Sequence, residues 1–240
     1  MASTRWKMMM DTALDHAIDK RKANIISMSF GWEHDGHEGL RETIAGNKDV
    51  LLFAATSNDG RGIKYPARAE EVIAVDAAHS NGKPSSDNPS QSNEKLERFT
   101  ALGVDIQSVV QTERKSGTSF ATPVAAGTAA LLLEFAKQPP LCHSQKVLTR
   151  LNTRSDMLRV FREILCWENG DFKFIDISKF EHFCGEDEYG KKEIWFHWRS
   201  RRYQAAKTIV NLLRKRYGEN FARDMEEECE RELQLQTRSG

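Results

Sequence analysis

The chain has 240 residues, of which 39% are hydrophobic and 29% charged, the composition of a soluble globular protein with room for one full domain plus an appendage. Collagen-like, coiled-coil and wholly disordered chains are excluded. The 35 Lys and Arg equal the 35 Asp and Glu, so the chain as a whole has no electrostatic reason to seek nucleic acid or an anionic membrane, and neither is expected as a partner.

The first 137 residues alternate helical and buried-strand patterns, which predicts an α/β domain with a mostly parallel sheet. Thr4 reads as an N-cap, and Met8, Ala13, Ala17 and Ile18 keep a helical period up to Lys22. A strand is predicted over Asn24–Phe30, stopped by Gly31, then a helix from Gly39 to Gly46. Val50–Thr56 is apolar throughout, as suits a strand covered on both faces, and Glu71–Asp76 is the third strand. His79–Glu97, rich in Ser, Asn, Pro and Gly, reads as a surface loop, and Phe99–Val110 as short extended pieces. Ser116–Ala136 is a glycine turn leading into a small-residue helix that Pro139 and Pro140 end.

Beyond Pro140 the character changes. Residues 144 to 165 predict one or two helices and 172 to 177 a short strand. Residues 1–140, 141–185 and 186–240 are expected to be an α/β domain, a helical extension and a charged helical tail. In the tail, Tyr203, Ala206, Val210, Leu213 and Tyr217 form a narrow apolar stripe. Its charges are segregated: Lys191 to Arg216 holds nine basic residues and one acidic, whereas Glu219 to Glu232 holds seven acidic and two basic. That predicts an antiparallel helical hairpin turning near Gly218. Trp195–Trp198 beside Arg199, Arg201 and Arg202 mixes aromatic and basic residues, and is expected to be a solvated basic face with a hydrophobic anchor.

The longest apolar run, Ala125 to Leu133, is interrupted by Gly127 and Thr128 and falls short of the ~20 residues of a membrane span. The N-terminus has no basic stretch leading into an apolar core as a secretory signal has, so an intracellular, cytoplasmic location is expected. Cys142, Cys166, Cys184 and Cys229 match no zinc or redox motif and are expected to be free thiols.

The most specific feature is Gly117-Thr-Ser-Phe-Ala-Thr-Pro123 followed by Ala126-Gly127. A glycine turn opening a helix at Ser119 gives a serine hydroxyl both exposure and rigid support, and the helix start favours a developing oxyanion. The plain alternative is that Ser119 only caps the helix. The whole pattern resembles the serine signature of the subtilisin-like serine peptidases, and three further segments follow that family's order. Ile26-Ser-Met-Ser-Phe-Gly31 resembles the strand lining the substrate cleft, which implies that Ser29 and Gly31 offer backbone groups to an extended peptide. Ala54-Ala-Thr-Ser-Asn-Asp-Gly60 resembles Ala-Ala-Gly-Asn-x-Gly, which implies Asn58 as oxyanion donor beside Ala55 and Ser57. Tyr65-Pro-Ala67 with Val72–Val75 resembles the wall of the specificity pocket. The long Pro/Asn loop and Thr153–Phe161 are similar to intracellular fungal members of the family.

The resemblance implies a three-layer fold, N-terminally truncated, and a serine endopeptidase acting on peptide or protein substrates. Its Asp-[Ser/Thr]-Gly and His-Gly-Thr motifs do not occur in residues 1–240, so the chain alone is expected to be inactive, with an upstream segment as its complement. The alternative is a catalytically dead module that binds peptides or partners. His34 and His37 read as a surface turn rather than a substitute base. Ser57 stands where the family has Gly, narrowing the pocket floor, and Val124 where a His is common. No cofactor is expected. Family members often bind structural calcium, but no Asp/Glu cluster here follows a recognisable loop pattern.

Overall fold

A computed structural model describes residues 2–34, 38–90, 96–107, 113–138, 141, 145–179 and 191–221, with residues 223, 227 and 234. Helix α1 (Ala2–Asp15) continues as a π-helical turn over His16–Lys20 and leads into strand β1 (Ile25–Met28). Then come α2 (Glu38–Gly46), β2 (Leu51–Ala55), β3 (Val72–Ala78) and β4 (Arg98–Leu102). A small hairpin, β5 (Ile106–Gln107) with β6 (Arg114–Lys115), precedes the long helix α3 (Thr118–Ala136). The second part adds α4 (Gln145–Leu151), α5 (Arg154–Val160), β7 (Cys166–Asn169), β8 (Phe172–Ile175) and α6 (Lys191–Tyr217).

Six strands form one sheet in the order β1-β2-β3-β4-β8-β7, parallel except for β7. Every residue of β2 and β3 is buried, as continuous apolarity requires when both faces are covered. Period-two alternation then sorts the side chains. Leu51, Phe53, Ile73, Val75 and Phe99 face the layer of α3, α5 and α6, while Leu52, Ala54, Val72 and Ala74 face Leu14 of α1 and Leu40 and Ile44 of α2. The result is a three-layer α/β fold. Phe53, Phe99 and Phe161 anchor the first core, with centroids 5.6 and 6.1 Å from Phe161, and burying each contributes about 1.5–3 kcal/mol.

Helix α3 is 19 residues of small apolar side chains, long and apolar enough by length and composition alone to cross a bilayer. It instead packs across β1 to β4, with Ala121, Ala125, Ala129 and Leu132 buried against the sheet. Gly103 lets it approach: a Cβ there would lie 2.7 Å from that of Ala121.

Several expectations are corrected. Thr4 lies inside α1, which begins at Ala2. The 79–97 segment is not wholly at the surface: the buried Asn88 side chain accepts from the Ala77 N–H at 2.9 Å and donates to the Ala77 carbonyl at 2.7 Å, imitating a strand residue beside β3. Strand β7 was not anticipated, because Cys166–Asn169 has no alternation, and it is held by pairing with β8. Cys166 is free and buried, and burial pushes its thiol up to about 12; the other cysteines lie outside the described residues.

Packing continues past residue 140. Ala205, Ala206, Ile209, Val210, Leu212 and Leu213 of α6 are buried in the α3-side core. Two of the last three residues of α6 find charge partners there too, while Arg214 lies 3.7 Å from Glu219 just past the helix. Arg216 Nη1 meets the fully buried Asp156 at 3.0 Å, the Tyr217 hydroxyl donates to the same carboxylate at 2.6 Å, and Lys215 lies 3.7 Å from Glu163. The expected hairpin pairs this helix with 219–232; most of that segment lies outside the described residues, as do the side chains of Trp195–Arg202.

Candidate active site

The site forms where β1 and β2 end and α3 begins. Gly117 precedes the helix with φ +142°, and a Cβ there would lie 3.1–3.3 Å from the Asn58 amide, so only glycine gives this close approach. Its N–H donates to the Gly103 carbonyl at 2.8 Å, which ties the turn to the strand end behind it. Asn58 then reads the helix start directly: its Oδ1 accepts the Thr118 N–H at 2.7 Å. With the oxygen committed, Nδ2 is left to donate. The Ser119 N–H has no acceptor among the described residues, as befits a first-turn amide.

Ser119 is half-buried, and its hydroxyl donates over a long 3.4 Å to the Ser29 carbonyl. In return the Ser29 hydroxyl donates to the Ser119 carbonyl at 2.9 Å. No histidine among the described residues hydrogen-bonds to Ser119; His37 lies outside them. Nor is any group of three or more His, Cys, Asp or Glu among the described residues placed to hold a metal ion.

Around this point lies a cavity of about 310 Å³. Of the residues singled out in the sequence, Ser29, Gly31, Ala55, Ser57, Asn58 and Ser119 line it together. Tyr65 does not. It is buried, precedes a cis peptide bond to Pro66, and holds the cleft strand from behind by exchanging two backbone hydrogen bonds with Trp32, at 2.8 and 2.9 Å. Ser57 turns its hydroxyl to Asp59 Oδ1 at 2.6 Å.

Two groups were missed. Asp59 and Lys64 also line the cavity, paired at 2.7 Å; the run Ser57-Asn-Asp59 and the cation just before Tyr65-Pro were the available signal. Behind the wall, Thr56 donates its hydroxyl to the buried Asp76 of β3, and Arg98 of β4 reaches the same carboxylate at 3.3 Å. Arg98 also donates to the Pro89 carbonyl at 3.2 Å. This buried pair anchors the residue from which the Ser57–Asn58 turn departs.

An accessible serine at a helix start, with two N–H donors open beside it, is the grouping that serine hydrolases need. The profile of the Subtilase family, peptidase S8, matches residues 3–159, and the chain belongs to that family of serine proteases. It is 40% identical over 115 residues to the thermostable alkaline protease of Halalkalibacterium halodurans, covering 45% of this chain and 31% of that protein. The intracellular serine protease of Paenibacillus polymyxa is 35% identical over 133 residues, 50% of this chain and 39% of the relative. The subtilisin-like protease het-Q2 of Podospora anserina is 31% identical over 135 residues, 49% and 36% of the two chains. The chain thus spans less than half the length of these curated relatives. Among solved structures, the prenylagaramide maturation protease PagA superposes with a TM-score of 0.59 at 28% identity, over 75% of this chain and 68% of PagA.

Proposed function

We propose that this chain is the nucleophile-bearing part of a subtilisin-like endopeptidase, with the acid and base of the triad supplied from outside residues 1–240. Ser119 attacks the scissile carbonyl of a peptide laid along Ser29–Gly31. A histidine of the complementing segment takes its proton, and an aspartate orients that histidine. The Asn58 Nδ2 and Ser119 N–H hold the oxyanion. The observation that carries the reading is the Thr118–Asn58 hydrogen bond, which fixes the Asn58 amide at the helix start and leaves its NH₂ as the free end.

An exposed apolar face beside the site supports this reading. Among the described residues β1 is the end strand of the sheet, and α3, which packs on it, exposes Phe120, Val124 and Leu131 at 37, 40 and 58%. These are apolar residues at helical spacing on the outer face of α3, which Pro123, Gly127, Ala130 and Glu134 share. PagA, a maturation protease, fits the same reading of a peptide or protein substrate.

The second reading is a binding module without turnover. It is favoured by the Ser119 hydroxyl resting on a carbonyl rather than an imidazole. Fusing the chain behind a subtilase segment that carries Asp and His separates the two. The endopeptidase reading expects covalent labelling of Ser119 by a fluorophosphonate, abolished in Ser119→Ala, and turnover reduced ~10²–10³-fold in Asn58→Ala, the loss that removing this donor causes in subtilisin. Undiminished labelling of Ser119→Ala would remove it, and an unlabelled fusion would favour the binding module.

A further inference from the structure

The cavity beside Ser119 holds an ion pair in its lining, and Lys64 joins its two walls. The Lys64 N–H donates to the Thr56 carbonyl at 3.0 Å on one side. On the other, its stem lies so close to Gly31 that a Cβ on Gly31 would sit 2.9 Å from the Lys64 Cβ. The ammonium reaches Asp59 Oδ2 at 2.7 Å. Asp59 is fixed in turn: Oδ1 accepts the Ser57 hydroxyl at 2.6 Å and the Arg61 N–H at 3.1 Å. Lys64, Ser57 and the Arg61 amide together hold the Asp59 carboxyl well below the usual carboxylate range, so that carboxyl is ionised at any pH near neutral.

Donor and acceptor capacity are unequal here. An ammonium has three N–H donors, and Lys64 uses one of them on Asp59, its only ion-pair partner among the described residues. A carboxylate accepts about four hydrogen bonds, and Asp59 already accepts from Lys64, Ser57 and Arg61. What the ion pair has to spare is therefore donors.

Resting on the cleft reading above, we propose that this cavity receives the side chain on the acyl side of the scissile bond and selects one that ends in a carboxylate or amide oxygen, with Lys64 as the specificity-determining residue and Asp59 positioning it. An apolar side chain entering the cavity strips water from the ammonium and returns no hydrogen bond, which leaves a polar group buried and unmatched. A lysine or arginine side chain meets a like charge. A glutamate or glutamine oxygen replaces the lost water, and for glutamate the bond is charge-assisted. Sites that depend on such a bond discriminate strongly against ligands that cannot make it.

The test uses product-like peptides with free C-termini, titrated into the purified chain and followed by the amide shifts of Ser29–Gly31. Acetyl-Leu-Ala-Glu and its isomer acetyl-Glu-Ala-Leu carry the same charge and exchange their first and third side chains, so that Glu enters the cavity in one and Leu in the other. The proposal expects the isomer ending in Glu to bind at least ~10-fold tighter, a difference of one decade in Kd. The difference should collapse in Lys64→Met, and Lys64→Glu should turn the preference towards acetyl-Leu-Ala-Lys. Equal, saturable binding of both isomers to the wild-type chain overturns the proposal and leaves the cleft reading standing. Failure of every peptide to saturate overturns the cleft reading, and the proposal with it.

Discussion

The Ser29 hydroxyl donates at 2.9 Å to the Ser119 carbonyl, the group that Pro123, four residues further along α3, leaves without a helical N–H. A proline inside a helix removes one i to i−4 hydrogen bond, and here the cleft strand supplies the replacement. The bond ties the backbone of Ser119, the proposed nucleophile, to the strand expected to hold substrate. Ser29→Ala should destabilise the chain by about 0.5–1.5 kcal/mol. In a Pro123→Ala background, where residue 123 can donate, the same change should cost distinctly less. Denaturant unfolding of the four proteins of this cycle measures the difference, and equal costs in both backgrounds would disprove the substitution of one donor for the other.

The α6 helix should depend on one carboxylate. Asp156 is fully buried and accepts from Arg216, Tyr217 and Thr153. Arg216 is 42% exposed, so on loss of its partner it rehydrates rather than staying buried as a bare charge. Asp156→Ala should therefore cost about 1.5–3 kcal/mol, the range for hydrogen bonds to a charged group. Hydrogen exchange should show the loss first over residues 205–217. Protection there equal to wild type would mean that the apolar stripe alone holds the helix.

Glu97 predicts an acid-side loss of stability. Burial pushes its carboxyl up, but Arg162, at 2.6 and 2.8 Å, and Lys173, at 2.5 Å, outweigh this and hold it below the ordinary glutamate value. A carboxyl lowered in the folded state contributes stability that is complete above its unfolded pKa of about 4.3 and is lost as pH falls through the lower folded value. The stability gap between wild type and Glu97→Gln should therefore be largest near neutral pH and shrink below about pH 4. A gap constant with pH would show that the ion pairs contribute nothing.

The parts of the fold and site that could be read from sequence are those written locally. Gly117, Ser119 and the small residues after them lie in one turn and one helix, and β2 and β3 are short apolar runs whose neighbours in the sheet follow from chain order. Contacts made across the fold left no such trace. Thr56 and Asp76 are twenty residues apart and meet only because β2 and β3 pair in register. Lys64 reaches the cavity because its backbone is pinned to Thr56, whereas Tyr65 beside it in sequence faces away into the core. Asn88 looked like loop because its strand-like pairing uses a side chain. The tail helix showed its apolar stripe, but the buried carboxylate that receives its last turn lies in a helix sixty residues earlier.

Peptide hydrolysis by the purified 240-residue chain, measured beside Ser119→Ala on a panel of fluorogenic peptides, decides whether the site is incomplete. In subtilisin, loss of the catalytic serine or histidine lowers kcat by ~10⁶ and leaves ~10³–10⁴ over water, which routine assays do not register. The chain alone should therefore be indistinguishable from Ser119→Ala. Turnover that is present in the wild-type chain and absent from Ser119→Ala would show that a base lies within residues 1–240, contradicting the assignment of acid and base to a separate segment.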